Sequence, residues 1–205
     1  MCEGETLTDE ADWRHKLAER FTAPTARVLS KTGVTPNMLT VMGFLVSVAA
    51  GVLVAKEYFL IGGLVVLFAG AFDLLDGPVA RATGKTTKFG GFLDSALDRL
   101  SEAAVLAGIL AYYAFNEGTW ESLLAFGCFV GSVMVSYLRA RAEGLGIKCE
   151  VGIFTRVERV VVMSIGLIFG QWYDLAIPIM LGLITALAFV TVLQRLIHVQ
   201  RTERS

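Results

Sequence analysis

The chain has 205 residues, 18 Lys and Arg against 19 Asp and Glu, and a net charge of −1; it is 55% hydrophobic and only 18% charged. With a mean hydropathy of +0.62, against about 25% charged residues in an ordinary soluble domain, a water-soluble globule is excluded and a membrane is the expected solvent. The near-zero net charge says little by itself, because it averages over an asymmetric molecule.

Residues 1–35 carry many charges and no early apolar run, so they do not read as a secretory signal. Trp13, Leu17 and Phe21 recur at i, i+4 and i+8 amid Arg14, Lys16 and Arg20, the pattern of an amphipathic helix lying on the membrane surface. A short polar arm folded over the cytoplasmic face is the alternative. Thr35 and Pro36 then read as the N-cap and first residue of a helix.

From Met38 to Ala55 the chain is uncharged for 18 residues, enough for a candidate membrane-spanning helix. Apolar tracts follow at Tyr58 to Phe72, Ala103 to Phe115, Ser122 to Leu138, Val160 to Tyr173 and Leu175 to Leu193. Some fall short of about 20 residues, but each can extend through flanking polar residues that face the inside of a bundle. The expectation is six spans. With that count, one side of the membrane holds 17 of the 18 Lys and Arg, leaving only Lys56 opposite with Glu57, Glu117, Glu121 and Asp174. The basic side is cytoplasmic by the positive-inside rule.

The sequence thus predicts an all-α integral membrane protein: a six-transmembrane-helix bundle with an N-terminal interfacial helix. Its expected parts are a cytoplasmic segment 1–35, a membrane domain 36–199 and a cytoplasmic tail 200–205. The active site and both termini are expected to face the cytoplasm. Cys2, Cys128 and Cys149 are odd in number and scattered, offering neither a disulfide framework nor metal-ligand spacing. His15 and His198 are isolated in sequence and read as surface residues.

The second and third spans carry the pattern DxxDGxxARx8Gx3Dx3D. Asp73 and Asp76 fall at i, i+3 on one helix, with Gly77, Ala80 and Arg81 continuing that face; Gly90, Asp94 and Asp98 fall at i, i+4 and i+8 on the next. A short polar link, Thr83 to Lys88, makes the two helices antiparallel neighbours, so four carboxylates converge on one cytoplasm-facing cavity. Each carboxylate near mid-span costs about 2.5 to 3.5 kcal/mol on insertion scales, and clustered negative charges repel until some take up protons. Hard divalent cations remove that conflict. Oxygen ligands without His or Cys favour Mg²⁺, Mn²⁺ or Ca²⁺ over zinc, and two ions balance four aspartates, an arrangement suited to transfer of a phosphate group. Simple pairing of the acids with Arg81, Lys85, Lys88 and Arg99 is the bland alternative; it leaves the interleaved glycines without a purpose.

Asp73, Asp76, Gly77, Ala80, Arg81, Gly90, Asp94 and Asp98 match every fixed position of the signature of the CDP-alcohol phosphotransferase family, which this chain resembles. The resemblance implies an enzyme that displaces CMP from a CDP-linked lipid with an alcohol, using two divalent cations, Mg²⁺ or Mn²⁺, as a homodimer among membrane lipids and with no nucleic-acid partner. Carried over by position, Asp73, Asp76 and Asp94 are metal ligands, and Asp98 is both ligand and general base. Gly77, Arg81 and Thr87 hold the CDP group, joined by Asn37, Met38, Leu39 and Thr40 at the start of the first span.

For the acceptor, the informative residues are arginines, whose forked guanidinium groups suit phosphate. The stretches SYLRARAEGLG, RVER and LQR resemble the phosphatidylinositol-phosphate synthase branch of the family. That resemblance implies an inositol phosphate pocket formed by Ser136, Arg139, Arg159 and Arg195, the acceptor being inositol 1-phosphate. The branch often has Lys at the position of Arg139 and ERPER where this chain has TRVER. Glycerol 3-phosphate is the competing acceptor, and a cytoplasmic basic rim against anionic lipid heads is the competing role for these arginines. A cation or proton transporter is the reading from another class. It calls for acids spread through the membrane depth and for internal repeats, whereas these four lie in two adjacent spans near one face.

Overall fold

A computed structural model of the chain describes residues 35–83 and 87–203, and the side chains of all of these except 74–83. Among the described residues six α-helices follow one another: α1 Pro36–Ala55, α2 Phe59–Thr83, α3 Lys88–Phe115, α4 Thr119–Gly144, α5 Arg156–Gly170 and α6 Ala176–Glu203. There is no strand among the described residues. Each expected apolar tract coincides with one helix, although Val160–Tyr173 runs three residues past the end of α5 at Gly170, and Tyr58 and Leu175 each precede the first residue of theirs; several helices in turn overrun their tract at a polar end. Helix α2 passes Phe72 to reach Thr83, and α3 starts at Lys88, well before Ala103. Helix α6 carries on past the expected boundary at 199 because no glycine or proline follows His198. The expected surface helix around Trp13, Leu17 and Phe21 lies outside the described residues.

Among the described residues three helices, α1, α4 and α6, are long and apolar enough to cross a membrane, and the apolar part of α2, Phe59–Asp73, is shorter. Large apolar side chains such as Leu45, Phe68, Phe126 and Ile179 face outward. Exposed apolar side chains of this size and number are an association hazard in water and suit lipid. The start of α1 behaves as its sequence predicts: the Met38 N–H donates to Thr35 Oγ1 at 3.3 Å, so Thr35 caps the helix ahead of Pro36.

The chain groups into two compact units. The described part of one is α1 as far as Gly43 together with Ala71–Asp98; the other is Phe44–Gly70 and the chain from Arg99 onward. The core of the second unit joins Val54, Leu106, Ile109, Cys128, Met163, Leu167, Leu181 and Ile184, all at or near zero exposure. Within it α1 and α3 pack backbone against backbone. A Cβ on Gly108 would run into the Gly51 carbonyl, and a Cβ on Gly51 into that of Ala104, so only glycine permits this approach.

The turns after α1 and α3 are built alike. Tyr58 N–H reaches back to Leu53 O at 3.0 Å and Gly118 N–H to Tyr113 O at 2.8 Å, with Glu57 and Glu117 in the left-handed region at φ 69° and 60°. These are αL helix ends carrying glutamate where glycine is commoner. The α4–α5 loop is fastened along α6. Ile153 N–H donates to Gln194 Oε1 at 3.3 Å, Arg195 Nε donates to Val151 O at 3.0 Å, and His198 Nε2 lies 3.1 Å from Lys148 O. Gly152, at φ 137°, lies against α6, where a Cβ would come 2.6 Å from Thr191 Cγ2. Cys149, inside this loop, is fully buried, and both Cys128 and Cys149 are free thiols.

Candidate active site

In the aspartate-bearing unit, α3 opens on a side-chain cap: the Gly90 N–H donates to Thr87 Oγ1 at 2.9 Å. That cap sets the register of Asp94 and Asp98, which follow one turn apart and are both half-buried. Asp73, on α2, is half-buried as well. Asp76, Gly77 and Arg81 continue α2, and their side chains lie outside the described residues. Gly90 is the meeting point of α1 and α3, for a Cβ there would sit 3.0 Å from both Asn37 Oδ1 and Thr87 Oγ1. Three positions singled out in the sequence, Asn37, Thr87 and Gly90, are therefore brought together.

The other residues expected beside the CDP group do not share one surface. Met38 is exposed, whereas Leu39 and Thr40 are buried and Thr40 Oγ1 donates to Pro36 O at 3.1 Å. Four consecutive helical residues point all around the axis, so one ligand cannot meet all their side chains.

Among the described residues no group of three or more His, Cys, Asp or Glu is close enough to hold a metal ion, and the Asp76 side chain is not among them. The chemistry of the donor set nonetheless fits a hard cation. Asp73, Asp94 and Asp98 offer only carboxylate oxygen, are partly withdrawn from water, and have no His or Cys interleaved.

The second unit holds the basic residues expected at the acceptor, and each is already engaged. Arg139, exposed on α4, donates through Nε to Glu143 Oε1 at 2.8 Å. Arg195, buried on α6, donates to the Val151 carbonyl and, through Nη1, to the Val135 carbonyl. That second bond ties α6 to the α4 turn bearing Ser136, which is half-buried. Arg159 has a side chain only 1% exposed and grips Glu102 of α3, itself 5% exposed. Both oxygens of the carboxylate are used, Nε to Oε1 at 2.7 Å and Nη2 to Oε2 at 3.0 Å.

The α5 start that presents Arg159 is fixed locally, because the Thr155 N–H donates to Glu158 Oε2 at 2.9 Å. Arg139 and Arg159 both bear electrostatically on the Arg195 guanidinium, so charges borne on α4 and α5 lie within reach of the one on α6. Like charges held this way favour an anion among them.

Sequence reasoning missed Glu102. The available signal was its spacing, four residues beyond Asp98 in the series Asp94, Asp98, Glu102, but its partner lies 57 residues away.

A model of the CDP-alcohol phosphatidyltransferase family matches residues 33–197. The chain belongs to that family. As a CDP-alcohol phosphatidyltransferase it is a membrane enzyme, and the family expected from the Asp73 to Asp98 signature is the one found. It is 36% identical over 190 residues to the archaetidylinositol phosphate synthase of Pyrococcus horikoshii, covering 91% of this chain and 96% of the relative. With the archaetidylinositol phosphate synthase of Methanothermobacter thermautotrophicus it shares 40% over 187 residues, 89% of this chain and 90% of that one.

Among solved structures, this phosphatidyltransferase is similar to Mycobacterium tuberculosis phosphatidylinositol phosphate synthase with CDP-DAG bound. The TM-score is 0.81 and the identity 34%, over 88% of this chain and 94% of the other. The same synthase in complex with manganese and citrate superposes at a TM-score of 0.82.

Proposed function

We propose that this phosphatidyltransferase moves the phosphatidyl-type group of a CDP-linked lipid, CDP-diacylglycerol or CDP-archaeol, onto inositol 1-phosphate and releases CMP. The observation that carries the acceptor is that Arg139 of α4 and Arg159 of α5 both lie within electrostatic reach of Arg195 of α6, which is bonded to the turn beside Ser136. Guanidinium forks of this density suit a phosphate monoester and have no counterpart to meet in a neutral amino alcohol. Relatives named for inositol phosphate products, at 36% and 40% identity, support the same acceptor over glycerol 3-phosphate, and nothing favours a transporter.

In this reading Asp73, Asp76, Asp94 and Asp98 hold two divalent cations, Mg²⁺ or Mn²⁺. When bound, such ions neutralise the pyrophosphate and stabilise the departing CMP. Gly77, Arg81, Thr87 and the first turn of α1 hold the CDP group. Asp98 accepts the proton of the acceptor hydroxyl as its oxygen bonds to the lipid-side phosphorus. The bond from that phosphorus to the bridging oxygen breaks, and CMP leaves with the bridging oxygen. Rate enhancement comes from position and electrostatics. All six helices span the membrane with the active site and both termini cytoplasmic, residues 1–35 include an interfacial helix, and the enzyme works as a homodimer.

The test is CMP release by purified protein given each CDP-lipid, Mg²⁺ or Mn²⁺ and one of inositol 1-phosphate, glycerol 3-phosphate, serine or free inositol. Fastest release with inositol 1-phosphate is expected. Release with glycerol 3-phosphate alone overturns the acceptor, and no release with any acceptor overturns the enzyme reading.

A further inference from the structure

The Glu102–Arg159 pair is sealed at 5% and 1% side-chain exposure, and both carboxylate oxygens are taken by Nε and Nη2. One guanidinium nitrogen, Nη1, is buried with no hydrogen-bond partner among the described residues. An uncommitted buried donor in a native fold calls for an explanation, and a ligand that docks there is one. Two bonds to a planar group fix its rotation as well as its position, so Glu102 determines where the two N–H groups of Nη1 point. Arg159 and Arg139 each lie within electrostatic reach of Arg195, and the acid that pairs with Arg139, Glu143, is half exposed and free to let go.

We propose that Glu102 is a positioning residue for the transfer. It locks the Arg159 guanidinium so that Nη1 is presented to the phosphate of the acceptor, and it offsets the buried charge while the acceptor is absent. The proposal rests on the inositol phosphate reading above. A carboxylate that merely stapled α3 to α5 would affect folding and both substrates alike.

Steady-state kinetics of Glu102→Gln distinguish the two roles. Glutamine keeps the length and one acceptor oxygen but turns an amide N–H₂ toward the guanidinium, so the two-point lock is lost. The KM for inositol 1-phosphate should rise roughly tenfold, while kcat and the KM for CDP-lipid stay within about twofold. Glu102→Asp keeps the charge but is too short to hold both nitrogens from α3; it should raise the same KM selectively and serves if Glu102→Gln does not fold. An unchanged acceptor KM in the folded variant, or equal rises in both KM values, overturns the positioning role while wild-type turnover leaves the acceptor reading standing. A wild type that releases no CMP with inositol 1-phosphate overturns both.

Discussion

The molecule keeps charge in an apolar chain in two different ways. Around Asp73, Asp94 and Asp98 the carboxylates are half-buried and are supplied by two helices, with a glycine at the crossing of α1 and α3. At Glu102 and Arg159 two opposite charges are sealed from solvent and bonded twice to each other. Carboxylates left partly open can exchange a metal, a proton or a substrate; a sealed pair can exchange almost nothing and instead fixes direction. The proposed mechanism accordingly assigns chemistry to the first arrangement and orientation to the second.

The largest expected effect falls on the open region. Asp98→Asn should cut CMP release by about 10²–10⁴-fold, the usual range for a lost general base, while CDP-lipid binding is largely spared; full activity in the variant would remove Asp98 from its role as base. The sealed pair should respond in stability. Glu102→Met alone leaves a buried guanidinium unpaired and should cost about 3–5 kcal/mol, and adding Arg159→Met should recover most of that loss. Thermal unfolding in detergent checks it, and a double variant as unstable as the single would mean the pair is worth more than apolar packing. The smallest effect belongs to an exposed pair. Glu143→Gln, with Arg139 and Glu143 about half exposed at 52% and 50%, should change stability by no more than about 1 kcal/mol. A larger change would place that pair with the sealed one.

Hydropathy made the helices legible because an apolar run of membrane length has few other uses. It placed their apolar portions well and their ends poorly, since α2 and α3 continue through polar residues that no apolar window includes. The aspartates stood out in the sequence because they are costly in an apolar chain and recur at helical spacing on each of two helices. Glu102 was not, as a single acid within Ser101 to Ala104 says nothing of an arginine 57 residues later. His198, read as an isolated surface residue, meets a backbone carbonyl at 3.1 Å. Every residue carries a carbonyl, so that partnership has no signature in the sequence.

The fastening of the α4–α5 loop to α6 has a consequence for the two buried thiols. Thiol reagents require an accessible thiolate. Cys149 is a buried residue of the loop held by Gln194, Arg195 and His198, and Cys128 lies among the core residues of the helices. With Cys2 replaced, modification of Cys149 would time the local release of the loop and modification of Cys128 the opening of the bundle, two separate clocks on one chain. A phosphorylated acceptor that bridges Arg195 to its neighbours would slow the first clock and leave the second nearly unchanged.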